Sequence, residues 1–385
     1  MMKKFYLFVC PALLALSSCS NEANENGILD KTDAISFAAY PTKSRAVGAD
    51  ITSDNMKGDN FGVAGYSKNA IYLNKGTNGV EQKWDDTSST WEYANLADLK
   101  FWPENNMDFY AYFPYSDNAT FAATNNDAGN STVMTIPNVD CSHDVLFAFA
   151  GNQSKQTRVP LTFHHAFSKI KTLQIEMPAD GIVYKSGCQV EISSAEFIYT
   201  RTKGDVKVDK DGAASYSYDA ESNPALKETL ASAVTINSTN TSTNIIDYGT
   251  SSKGYFFATS ATKVNEVTGT GALMWDGVNK NIGGTSKLST SGLVCLKLTC
   301  KVWNGTSHYY VGSANTYGEV YIPLKGLDAD SNEVSTFDAG KRYIYKIVMK
   351  DNVGFTDAGD PILTPILFSV NSVDDWSDVT VTITL

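Results

Sequence analysis

Apolar and polar residues alternate with a period of two along most of this chain. At that spacing, successive side chains of an extended backbone face opposite ways, so the pattern predicts strands. Ile35, Phe37 and Ala39 alternate with Ser36, Ala38 and Tyr40. The segment Phe61-Gly62-Val63-Ala64-Gly65-Tyr66 predicts a compact strand whose glycines admit close packing. Residues 109–115 read as an aromatic strand stopped by Pro114, and 145–150 as a continuous apolar one. Further strands are predicted over 161–163, 170–177, 190–200, 255–259, 293–302, 309–311, 320–324 and 342–349. The last covers 377–385, with Val379, Val381, Ile383 and Leu385 on one face and Thr380, Thr382 and Thr384 on the other.

Runs of Asn, Gly, Ser, Thr and Asp, such as 124–131 and 237–243, separate these strands as turn material. Helix signals are few. Asn223-Pro224 supplies an N-cap and first-turn proline for a short helix carrying Leu226 and Leu230, and 93–99 holds a further helical turn. Many short strands with polar loops predict an all-β protein built as two β-sandwich domains. The predicted division falls between an N-terminal domain over 35–157 and a C-terminal domain over 158–385. The polar stretch 151–157 precedes the boundary.

Composition agrees. Of 385 residues, 42% are hydrophobic and 19% charged, with 6 Trp, 20 Tyr and 18 Phe. Wholesale disorder is excluded, because disordered chains lack this many aromatics. A net charge of −11 speaks against a nucleic-acid partner, which requires a basic face.

The first residues carry a compartment signal. Lys3 and Lys4 precede an apolar run over 5–16, too short to span a bilayer as a helix but matching a signal-peptide core. Leu16-Ser17-Ser18-Cys19 resembles a bacterial lipobox, in which small residues let the peptidase take the backbone and the cysteine carries the lipid. Residues 1–18 are therefore expected to be removed, with lipidated Cys19 anchoring the chain to a membrane. Residues 19–34 then form a polar tether.

The residue pattern assembles no reaction site. His164 and His165 are adjacent, so on a strand they face opposite sides and do not share one ion. Asp374-Asp375 before Trp376 is a carboxylate pair beside an aromatic, but adjacent acids on a strand point apart, whereas glycoside cleavage needs two flanking one bond. Cys141, Cys188, Cys295 and Cys300 match no metal or redox spacing and read as buried free thiols. The chain reads as a non-enzyme without metal or cofactor.

Several segments together resemble the fimbrillin family of the Bacteroidetes, subunits of lipoprotein-derived (type V) pili. They begin with the lipobox at Cys19, a short strand followed by Thr42-Lys43-Ser44-Arg45-Ala46, and Phe61 to Tyr66. Next come Phe101-Trp102-Pro103 leading into Asp108 to Pro114, and Asp144-Val145-Leu146-Phe147-Ala148. Val159 to Ile170, Gly340 to Ile347, Val370 to Trp376 and a final strand complete the set. The resemblance implies two transthyretin-like sandwiches and no enzymatic activity. It implies an outer-membrane lipoprotein precursor that becomes part of a cell-surface fimbrium for adhesion and biofilm. It further implies that an arginine-specific protease cuts between Arg45 and Ala46 and releases a removable strand within 35–45. Loss of Ile35, Phe37 and Ala39 would then open a groove for a strand of another subunit. The candidate donor is 377–385, with Val379, Val381, Ile383 and Leu385 as filling residues. The alternatives are a tip or accessory adhesin, which needs an acceptor groove but need not donate a strand, and a monomeric surface lipoprotein that binds glycan.

Overall fold

The structure, a computed structural model, describes residues 34–41, 51–125, 132–198, 200–218, 226–249, 251, 253–257, 295–324, 326–327, 333–334, 337–351, 353, 367–371 and 377–384. Cys19, Arg45, Ala46, Asn223, Pro224, Asp374, Asp375, Trp376 and Leu385 lie outside these residues. The first strands are β1 (Phe37–Pro41), β2 (Phe61–Ser67), β3 (Ala70–Leu73), β4 (Val80–Asp85), β5 (Thr90–Tyr93), β6 (Met107–Phe113), β7 (Thr120–Phe121), β8 (Thr132–Val139), β9 (Leu146–Gln153) and β10 (Val159–His165). They are followed by β11 (Phe167–Glu176), helix α1 (Ile182–Lys185), β12 (Cys188–Ile198), β13 (Gly204–Asp209), β14 (Ala214–Tyr218), β15 (Leu226–Ile236), β16 (Ser242–Asp247) and β17 (Tyr255–Phe257). The last are β18 (Cys295–Asn304), β19 (His308–Val311), β20 (Gly318–Pro323), β21 (Gly326–Leu327), β22 (Glu333–Val334), β23 (Lys341–Val348), β24 (Leu367–Asn371) and β25 (Ser377–Thr384). The protein is all-β, as expected. Among the described residues no helix is long and apolar enough to cross a membrane.

Two pairs of sheets face one another. The first large sheet runs β1-β10-β9-β6-β2-β4-β5, with β3 beside β2, and a smaller sheet runs β14-β13-β8-β7. Between them lie Ala64, Tyr66, Tyr110, Tyr112, Met134, Ile136, Val206 and Val208. The second pair is β16-β11-β23-β25-β21-β22, with β17 and β24 attached, and β15-β12-β18-β19, with β20 attached to β18. Ile170, Leu173, Ile192, Leu296, Leu298, Tyr345 and Ile347 fill the space between these two.

The large first sheet is covered on both faces, which is why β2 is buried along nearly its whole length. Strands buried on both sides read as continuous apolar runs instead of alternating ones. The two glycines of β2 answer to close approach. A Cβ on Gly62 would run into the Tyr112 ring, and one on Gly65 would lie 2.8 Å from Met107.

Two sequence expectations require correction. Residues 226–236 form strand β15 and not a helix; the strand is paired with β12 in register from Leu226 opposite Phe197 to Ile236 opposite Val190. The expected division between 157 and 158 cuts through a bonded unit. β10 pairs with both β9 and β1, and β13 pairs with β8. The polar run over 204–218 therefore returns to the sandwich begun upstream, a long-range pairing that leaves no local mark. The helical turn within 93–99 is present as a 3-10 turn over Leu96–Asp98, capped by the Asn95 side chain, which accepts from Ala97 N–H at 3.0 Å.

Candidate assembly groove

The first strand closes the outer core of the first sandwich. β1 runs parallel to β10, with Phe37 opposite Val159 and Pro41 opposite Phe163. Val159 N–H donates to Ser36 O at 2.8 Å. Just upstream, Ile35 N–H donates to Lys100 O at 2.8 Å, and Ala34 bridges Phe101. The segment is thus gripped on two edges, by β10 and by residues 100–101. β1 also packs against β5, so the curled sheet nearly closes on itself.

Period-two alternation decides what β1 buries. Ile35 and Phe37 are fully buried, Ala39 is half-buried, and Tyr40 is 57% exposed. The Phe37 ring stands edge-on to Phe109 at 5.4 Å and to Phe61 at 6.4 Å. Phe61 in turn meets Phe163 at 5.4 Å and Trp91 at 4.9 Å. Edge-to-face geometry suits the ring quadrupoles and adds to the stabilisation from buried area. Burying Ile35 and Phe37 contributes about 1.5–3 kcal/mol each before entropic costs. Withdrawing this strand would expose an aromatic trough floored by Phe61, Phe109 and Phe163. The sequence placed Ile35, Phe37 and Ala39 on this inward face. It did not show that residues 100–101 form the second wall, although Phe101 and Trp102 stood in the family pattern.

One polar group in this core went unanticipated. Gln82 of β4 stands opposite Phe61 and Tyr93, is fully buried, and has neither amide atom hydrogen-bonded. Nearby charges are structural. His165, inward on β10, meets Asp144 at 2.7 Å with both groups buried, and Asp144 also accepts from Ile51 N–H at 3.3 Å. His164 faces out, as the alternation required. Among the described residues no group of three or more His, Cys, Asp or Glu is arranged to hold a metal ion. Cys141, Cys188 and Cys300 are buried free thiols.

The C-terminal strand sits in its own sheet. β25 runs parallel to β23, with Val379, Val381 and Ile383 opposite Tyr343, Tyr345 and Ile347, and antiparallel to β24. Ile383 is fully buried, as are Tyr345 and Ile347 opposite it and its neighbours. Both edges of β25 are therefore occupied within this chain.

The fold defines an all-β sandwich protein whose first strand seals an aromatic core. The fimbrillin-like family matches residues 44–291, more than half of the chain, and the chain belongs to that family. A comparison with curated proteins gives no match. Among solved structures, a fimbrial protein from Bacteroides vulgatus is similar at 16% identity, over 82% of this chain and 94% of that one, with a TM-score of 0.45. A fimbrilin from Porphyromonas gingivalis is similar at 11% identity, over 92% of this chain and 97% of that one, with a TM-score of 0.36.

Proposed function

We propose that this fimbrillin-like protein is a pilus subunit exported as a lipoprotein on Cys19, cut after Arg45, and joined to its neighbours by strand exchange. The body of the subunit is two sandwiches. The observation that carries this reading is the seat of β1: Ile35 and Phe37 seal an aromatic core from a segment lying just ahead of Arg45 in the sequence. A cut there would separate β1 covalently from everything it covers. The vacated trough suits an extended segment with apolar side chains at every second position, adding main-chain hydrogen bonds to β10 and to residues 100–101. Four such side chains contribute about 6–12 kcal/mol before entropic costs, at about 1.5–3 kcal/mol each. Exchange of this kind is heterologous and builds open filaments.

A second reading draws on β25. Because β23 and β24 occupy both of its edges, a subunit that keeps this strand at home would accept a donor without providing one, as a tip or accessory subunit does.

Digestion of the unlipidated chain with an arginine-specific protease tests both, read by intact mass and native gel. A single cut after Arg45 followed by a ladder of oligomers is the expected result. Oligomers that disappear when 377–385 are deleted identify the donor. A cut chain that stays monomeric but binds a peptide of the donor sequence supports the tip reading. Resistance of Arg45 to cutting, or a cut chain that does neither, overturns the proposal.

A further inference from the structure

The outward face of the second sandwich carries a second feature, independent of the groove. Along β18, Leu296, Leu298, Cys300 and Val302 point into the core, so Lys297, Thr299, Lys301 and Trp303 occupy the opposite face. Most of that face is ordinary solvated surface, with Lys297 paired to Glu196 at 2.7 Å and to Glu319 at 3.7 Å. At one end the character changes. Trp303 stands opposite Tyr309 of β19, their rings 6.0 Å apart and inclined by only 28°. Two half-buried, stacked aromatic rings stand where charged residues are the local rule.

A loop follows β19. β19 and β20 pair with successive stretches of the same edge of β18, Val302 opposite Val311 and Cys300 opposite Gly318. The intervening residues 312–317 leave that edge beside Lys301. The loop is tightly drawn: Gly312 has φ of +69°, and a Cβ there would lie 2.5 Å from Thr316 O. Ser313 N–H donates to Thr316 O at 2.8 Å. Tyr317, 38% exposed, is pinned by its hydroxyl donating to Glu191 at 2.6 Å. Lys301 Nζ lies 3.2 Å from Glu191 and 4.5 Å from the centre of the Tyr317 ring, and donates to Ala314 O at 3.2 Å.

We propose that this aromatic end of the face, with the polar groups beside it, binds a neutral pyranose unit of a glycan. The C–H face of a sugar ring is apolar and matches a flat aromatic surface, while its equatorial hydroxyls need donors and acceptors at the rim. Trp303 and Tyr309 supply the surface. Glu191 and the Tyr317 hydroxyl oxygen supply acceptors, and Lys301 supplies a donor. All three are held in place before any ligand arrives, which lowers the ordering cost of binding. The chain's net charge of −11, with a carboxylate at the rim, disfavours acidic sugars. A cross-strand aromatic pair also stiffens a hairpin, so the test must separate binding from stability.

The test is saturation-transfer NMR on the unlipidated full chain, with lactose and cellobiose as probes. Saturable transfer from at least one sugar, with Kd in the millimolar range, is expected of a single stacking site. Trp303→Ala should weaken binding by about tenfold or more, while Trp303→Phe, which keeps an aromatic face, stays within a few-fold. Glu191→Gln should weaken binding several-fold, with a melting curve close to that of the parent. No saturable transfer from either sugar at about 20 mM overturns the proposal. So does unchanged affinity in folded Trp303→Ala, or in Glu191→Gln should Trp303→Ala fail to fold.

Discussion

Replacing Phe37 with alanine tests whether β1 is an integral stave of the first sandwich. The ring is fully buried and meets Phe61 and Phe109 edge-on. Deleting a buried phenylalanine ring costs about 3–5 kcal/mol, combining lost transfer energy with the cavity left behind. That loss should appear first as local opening, read at two amides that flank the β1–β10 ladder: Ile35 N–H, bonded to Lys100 O, and Val159 N–H, bonded to Ser36 O. Where exchange follows the opening equilibrium, Phe37→Ala should lower protection at these two amides by about two to three and a half orders of magnitude, at 1.4 kcal/mol per factor of ten. Tyr40→Ala, which removes an exposed ring on the same strand, should change protection by less than about threefold, since surface substitutions stay within about 0.5 kcal/mol. Amide hydrogen exchange on the full, uncut chain reads both. A loss of less than tenfold in Phe37→Ala would refute the reasoning, because β1 would then lie on the core without sealing it.

Three further outcomes follow from polar and titratable groups. Gln82→Met should stabilise the chain by about 1–3 kcal/mol in denaturant titrations, by removing a buried amide that has no hydrogen-bond partner; a loss of stability would show that the amide is satisfied. His143 lies 2.9 Å from Asp117, and that hydrogen bond raises its pKa above the usual 6.5. The pair's contribution is therefore fully present below pH 6.5 and fades as pH rises through the raised value. Asp117→Asn should lose more stability at pH 5 than at pH 9, and an equal loss at both would contradict the assignment. Burial pushes the Cys188 thiol up to about 11 and raises Cys141 and Cys300 as well. These three should resist maleimide at pH 8 in the native chain and react in denaturant, as mapped by peptide mass.

What could be read from the residues follows how strongly each strand's own pattern reflects its burial. β10 alternates strictly, with Val159, Leu161, Phe163 and His165 inside and Pro160, Thr162 and His164 outside, and it was legible without any partner. β15 is the opposite case. Its apolar residues Leu226, Leu230 and Val234 are spaced by four, which is a helical period. The strand lies at a sheet edge and is only half-buried along most of its length. Its conformation is fixed by the ladder from β12, so the deciding information resides in residues 188–198. The same holds for β13, whose partner β8 lies more than sixty residues upstream. Gln82 and the stacked pair of Trp303 and Tyr309 escaped for another reason. Their meaning depends on which atoms do or do not meet them, and neighbour identity is absent from a linear pattern.

The two terminal strands differ in how they are tied to their neighbours, and this bears on which of them is able to move. β1 is parallel to β10, and parallel partners cannot be joined by a tight turn; more than a hundred residues separate Pro41 from Val159. Its other edge is held by a short contact with residues 100–101. Neither neighbour is linked to it by a hairpin, so β1 can depart without dragging another strand from its place. β25 is also parallel to its inner neighbour β23, but β24 runs antiparallel beside it, with Asn371 opposite Thr380 only nine residues along the chain. That closeness binds β24 and β25 into a unit. Donation by β25 alone would break a full strand pairing on each side and leave Ile347 without Ile383 opposite. Departure of β1 breaks one full pairing and one short contact. The asymmetry makes β1 the cheaper strand to lose, and it makes retention of β25 the outcome that a tip or accessory role requires.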